Sequence, residues 1–146
     1  MCGFWGAIFA LLLQNRVVPL YLTEQDVADL LTPADAVEAI EASFHRLAAG
    51  SVENRPRYRL ALEGGALAVM AAADLELGYA GAKVYAGFHD GARFVVLLFR
   101  ADAPELVAVL EADKLGQLRT GAASGVAAKY LASSSATSLG VIGCGW

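Results

Sequence analysis

The sequence predicts an α+β fold, a mainly antiparallel sheet covered on one face by helices. Three observations predict it. Two early stretches carry helix-start signals ahead of apolar residues spaced by three and four. From Arg57 the apolar period changes to two and persists through several segments joined by short links. Residues 113–131 then return to a long helical pattern that leads into a glycine-bearing strand.

Taken in order, Val17 to Leu22 reads as a first strand. Thr23 caps a helix, with Asp26 in the capping-box position and Leu22 and Val27 placed as a hydrophobic staple. Thr32 and Pro33 repeat the start signal, since proline suits the first helical position. Val37, Ile40, Phe44 and Leu47 form the expected buried stripe of this second helix, and Gly50 its stop. Beyond Arg57, residues Tyr58, Leu60 and Leu62 point one way while Arg57, Arg59, Ala61 and Glu63 point the other. Gly64-Gly65 supplies a tight turn, and Ala66 to Ala72 returns as the next strand. Tyr79 to Ala86 is a further strand with Gly81, Lys83 and Tyr85 on one face. His89-Asp90-Gly91 is a turn, Phe94 to Phe99 a buried strand, and Leu106 to Leu110 its partner after Pro104.

Asp113 is the expected N-cap of the long helix, its carboxylate accepting from a free amide. Leu115, Leu118, Ala122 and Val126 make one face, widened by Ala123, Ala127 and Tyr130, and Lys129 suits the helix dipole. Gly121 and Gly125 each cost about 1 kcal/mol relative to Ala in a helix, which predicts that the backbone there lies close to something. Arg119 sits beside the apolar face and can offer a planar fork to a carboxylate or phosphate. The plainer alternative is a surface arginine whose stem covers apolar area. Ser133 to Ser135 is a linker. Thr137 to Ile142 reads as a strand running into Gly143-Cys144-Gly145, the opening of a dinucleotide-binding βαβ unit, or a simple C-terminal strand and turn.

The 146 residues suffice for one domain with a real core. The hydrophobic fraction of 57% and mean hydropathy of +0.50 owe much to alanine. A net charge of −4 without a basic run argues against nucleic acid as a partner. Cys2 and Cys144 do not make a disulfide framework, and His45 and His89 are isolated, so no metal site is expected. Cys2 to Leu13 is an apolar run, short of the roughly 20 residues that span a bilayer. Residues 1–17 are therefore read as an apolar extension of the domain, with membrane attachment not expected and a cytoplasmic location inferred.

The segments LRTGAASGVAAKYLA, SLGVIGCG, LYLTEQDVADLL, RPR at Arg55 to Arg57 and GAKVY at Gly81 to Tyr85 occur here in a familiar order. Together they resemble the ornithine cyclodeaminase/mu-crystallin family over about Leu20 to Trp146. The resemblance implies that residues 18–131 are a substrate-binding and dimerisation domain. It also implies that 132–146 open a Rossmann domain whose third glycine, phosphate-binding helix and later acidic residue do not follow in this sequence. It implies NAD or NADP as cofactor, hydride transfer at a carbon bearing nitrogen, and a homodimer. By motif, Arg57, Lys83 and Arg119 would hold the carboxylate of a small amino or imino acid. Lys83, flanked by Ala82 and Val84 and so partly desolvated, would be suited to proton transfer. Arg119, Thr120, Gly143 and Gly145 would contribute to the cofactor site.

Two departures from the family pattern matter. The acidic residue that meets a distal amine in ornithine-using members is Ala68 here, before Met70, which argues against ornithine. The family's catalytic aspartate belongs to the nucleotide-binding domain, so these residues alone are expected to be inactive. The alternative is a non-catalytic dimerising or small-ligand-binding module.

Overall fold

The computed structural model describes residues 18–143, which form three helices and a seven-stranded sheet, the expected α+β class. The apolar run at the start of the chain and the positions of Cys144 and Gly145 lie outside the described residues.

The short strand β1 (Leu20–Leu22) leads into helix α1 (Glu24–Leu30) and then α2 (Pro33–Ala48). Both helices start as the sequence predicts. Thr23 and Thr32 each accept from the backbone amide three residues on, and Asp26 and Asp35 reach back to the cap amides. The sheet continues with β2 (Val52–Asn54), β3 (Tyr58–Leu62), β4 (Gly65–Asp74), β5 (Tyr79–Phe88), β6 (Gly91–Arg100) and β7 (Leu106–Glu111), and helix α3 (Asp113–Leu131) closes the domain. The strand order is β1-β7-β6-β5-β4-β2, with β3 also on β4. Every pairing is antiparallel except β1 with β7. Two-residue turns, Glu63-Gly64 and His89-Asp90, join the central hairpins, and Gly64 takes the left-handed conformation that such a turn needs at φ 78°. Gly65 is already in the strand. A Cβ there would stand 2.5 Å from the Gly87 carbonyl, so the second glycine permits a close backbone approach.

The register fixes two faces. Ala68, Met70 and Ala72 of β4 lie across from Tyr85, Lys83 and Gly81 of β5, which in turn face Phe94, Val96 and Leu98 of β6. Ala68 is fully buried on this face and Ala108 nearly so. The opposite face carries Tyr58, Leu60, Leu67, Val69, Val84, Val95, Leu97 and Phe99 by the same register. No described element covers it: Tyr58 is 63% exposed, Leu60 45% and Val95 37%.

Strand β2 was not foreseen, and it explains the position of Arg57. Asn54 pairs with Ala72 and Tyr58 with Val69, so residues 55–57 on the edge oppose only residues 70–71. Arg55 still donates to the Ala71 carbonyl at 3.1 Å, whereas Pro56 has no amide to give. One extra residue in an edge strand is a bulge, which bends the strand and re-aims a side chain.

The core is small and rich in alanine: Val27, Ala36, Ala68, Ala108, Ala112, Ala122 and Val126. The stripe expected on α2 is only half-buried in its first half, at Val37 and Ile40, because α3 flanks that helix on one side. Phe44 and Leu47 stay 47% and 44% exposed at the margin. Gly125 meets Val37 of α2, since a Cβ there would lie 3.6 Å from Val37 Cγ2; Gly121 faces open space instead. Asp113 is not the N-cap of α3. Ala112 holds that position without a side-chain bond. The two free amides of Asp113 and Lys114 donate instead to the Glu24 carboxylate of α1, at 2.6 and 2.7 Å. Glu111 repeats the device, accepting from the Glu24 amide and the Tyr21 hydroxyl.

The strand expected at Thr137 to Ile142 has no ladder. Residues 137–143 run past α3 without a strand partner among the described residues. A first strand of a parallel unit gains its hydrogen bonds from neighbours in the same sheet, and no described strand stands beside this one. Leu139, Val141 and Ile142 remain exposed.

Candidate functional site

The floor of the site is the helix-covered face of the sheet. Tyr85 and Phe94, paired across β5 and β6, stack with ring centroids 5.0 Å apart. Lys83, two residues from Tyr85 on the same face, sets its ammonium 4.6 Å from the Phe94 ring centre and 5.8 Å from that of Tyr85. Arg57, turned by the bulge, holds its guanidinium 5.6 Å from the same Tyr85 ring. Both cations thus rest on one aromatic pair, at distances where the ring quadrupole attracts a positive charge.

Helix α3 forms the roof. Gly116 is buried in its first turns, and a Cβ there would lie 3.5 Å from Lys83 Nζ. Arg119 comes three residues later. Burial lowers the pKa of Lys83, and the nearby positive charges of Arg119 and Arg57 lower it further. The Asp113 carboxylate opposes them. Asp113 Oδ1 is buried without a hydrogen-bond partner among the described residues, beside the cavity that Phe94 and His89 also line. Lys83 lies on the face opposite the aliphatic row of Leu60, Leu67, Val69, Val84, Val95 and Leu97. It shares the covered face with the most buried alanine of the sheet, which is why desolvation is the leading influence on it.

The structure thus brings Arg57, Lys83 and Arg119 into one electrostatic neighbourhood. Among the described residues, neither the Arg57 nor the Arg119 side chain has a hydrogen bond or ion pair. Thr120 and Gly143 meet elsewhere. They line a groove of about 960 Å³ between the small-residue face of α3 and residues 139–143, together with Gly121 and Ser124. Gly143 has φ 90°, a conformation that glycine adopts freely. The Thr120 hydroxyl bonds back to the Gly116 carbonyl at 2.7 Å, which fixes its rotamer. The sequence reading missed Tyr85 and Phe94 as a platform, Gly116 as the opening above Lys83, and Asp113 as a buried carboxylate. The aromatic pair had a signal in strand alternation, but it needed the register between β5 and β6.

Among the described residues no His, Cys, Asp and Glu group could hold a metal ion, and no helix is long and apolar enough to cross a membrane.

Solved structures place this architecture among NAD-linked dehydrogenases and reductases of amino and imino acids. The iminosuccinate reductase of Paracoccus denitrificans, solved in complex with NAD+, superposes with a TM-score of 0.76 at 31% identity, over 81% of this chain and 39% of that one. An archaeal alanine dehydrogenase dimer with bound NAD gives 0.75 at 33% identity, over 79% and 38%. The chain belongs to the ornithine cyclodeaminase/mu-crystallin family, whose model matches residues 17–146. In sequence it is 38% identical to the alanine dehydrogenase of Archaeoglobus fulgidus over 133 residues, 86% of this chain and 41% of that protein. It therefore spans about two fifths of the relatives it matches.

Proposed function

We propose that these residues are the acid-gripping part of an NAD(P)-dependent oxidoreductase acting on a small amino or imino acid. Arg57 and Arg119 are unpaired guanidiniums on two sides of Lys83, and each can take a carboxylate through two parallel N–H donors. Holding the carboxylate fixes the neighbouring carbon relative to a cofactor, which is worth more to the rate than binding itself. Lys83 Nζ, its pKa lowered by burial and by two cations, gives up or takes a proton at the substrate more readily than a surface lysine. The nicotinamide would supply or accept the hydride at the carbon bearing nitrogen. Its site fits the groove beside α3, where Thr120, Gly121 and Gly143 leave room for a backbone approach, and Arg119 stands at the boundary between acid and cofactor. Gly145 belongs to the same proposed cofactor loop. Hydride transfer is assigned to the whole enzyme, of which residues 18–131 are the substrate-binding and dimerising domain and 132–146 the start of the nucleotide-binding one. These residues alone are expected to be inactive. A homodimer follows from the open apolar sheet face, which a second copy can cover.

The observation that carries this reading is the gathering of Arg57 and Lys83 over one Tyr85 ring with Arg119 acting on the same ammonium. NMR titration of the chain with L-lactate tests it. Saturable shifts at these three residues, weakened by Arg57→Ala and by Arg119→Gln, are expected. Binding indifferent to both substitutions would contradict it.

A further inference from the structure

The covered face holds one more arginine than a single carboxylate can use. Arg59 pairs with Ala68, and Ala68 with Tyr85, so by strand alternation Arg59 projects on the face that carries Lys83 and Tyr85. Arg59 and Arg57 line the same shallow cavity of about 660 Å³, together with Met70. The third arginine of that cavity, Arg55, is already neutralised by Glu53. The Arg59 side chain has no ion pair or hydrogen bond among the described residues. Arg59 is thus placed on the covered face by the register and beside Arg57 by the cavity they share.

Arg119, Arg57 and the Asp113 carboxylate act on Lys83, and Arg59 shares a cavity with Arg57, so four cations gather on this side of the sheet. Like charges gathered this way repel one another unless a ligand supplies the anions. Arg57 and Arg59 stand two residues apart on one sheet edge, near enough for two long, flexible side chains to meet the two ends of a short diacid. Ala68, fully buried between Arg59 and Tyr85, leaves that path free of a competing acid.

We infer that Arg59 binds a second carboxylate, so that the site takes an amino or imino dicarboxylic acid in preference to a monocarboxylic one. Arg57 holds the carboxylate next to the reacting carbon, and Arg59 holds the distal one. The inference rests on the reading that Arg57, Lys83 and Arg119 grip the first carboxylate.

L-malate and L-lactate differ by the distal carboxylate alone, and their binding to the intact chain can be compared by NMR titration. Malate is expected to bind at least about tenfold more tightly, the order of one charge-assisted pair. Arg59→Gln should remove most of that preference while lowering lactate affinity by much less. Arg59→Lys, which keeps the charge but not the fork, should retain part of it. Lactate binding that depends on Arg57, with no malate preference or with a preference that survives Arg59→Gln, overturns the inference and leaves the first reading standing. Failure of both acids to bind overturns both.

Discussion

The two faces of the sheet invert the usual arrangement of charge and apolar surface. The face under the helices holds Lys83 and receives Arg57 and Arg119, whereas the bare face offers Tyr58, Leu60, Val95 and Phe99 to solvent. Each inversion has a cost when left alone. A desolvated ammonium among like charges opposes folding, and a contiguous exposed apolar patch is the kind of surface that interaction sites use. On the proposed reading, the contrast separates a covered face shaped for a ligand from a bare face shaped for a partner, each of which would relieve a different penalty.

The largest expected effect comes from spoiling the bare face. Val95→Glu puts a charge at the middle of that surface, and sedimentation should show a dimer of the wild-type chain converted to monomer, with little change in the circular dichroism. A wild-type monomer would remove the partner from the comparison. Next is the covered face itself: Arg57→Ala should weaken acid binding by tenfold or more, since a charge-assisted bond is worth about 1.5–3 kcal/mol, as measured by the same NMR titration. Glu24→Ala then tests the clasp that holds α3 over the site. It strips the carboxylate from the Asp113 and Lys114 amides, a loss of about 1 kcal/mol by analogy with other caps, and should lower the thermal midpoint by several degrees. The smallest effect has the opposite sign. Lys83 has a folded pKa below its unfolded value, so the unfolded chain binds more protons as pH rises from the former to the latter, and stability increases through that window. The penalty is fully present below the folded pKa. Lys83→Met should therefore raise the thermal midpoint at pH 7 by a few degrees, and the gain should shrink as pH approaches the ordinary lysine value.

Much of the fold was legible because its signals are local. The two Thr-x-x-Asp caps, the two-residue turns at Gly64 and Asp90, and the period-two runs between them need no distant partner to be read. What failed depended on a neighbour. Val52–Asn54 is too short to show alternation and is a strand only because β4 extends past β3. Asp113 looked like a cap because the first turn of α3 needs one, yet Glu24 from α1 arrives first. Thr137 to Ile142 has the composition of a strand but no ladder to join. In the site, Arg57, Lys83 and Arg119 stood out by motif. Their shared floor of Tyr85 and Phe94 required the sheet register, and the aim of Arg57 required a bulge visible only when residues 55–57 were set against 70–71. Lys83 was expected to be partly desolvated and is, although alternation alone cannot say which face a helix will cover.

The most direct measurement follows the proton on Lys83. Reductive methylation with a carbon-13 label gives each lysine amine its own NMR signal, which can be followed through pH with and without L-lactate. Lys83 is expected to titrate below the other lysines of the chain and to move back up when the acid's carboxylate joins Arg57 and Arg119 around it. A Lys83 that titrates with the surface lysines and ignores the acid would mean that the three cations do not share a pocket.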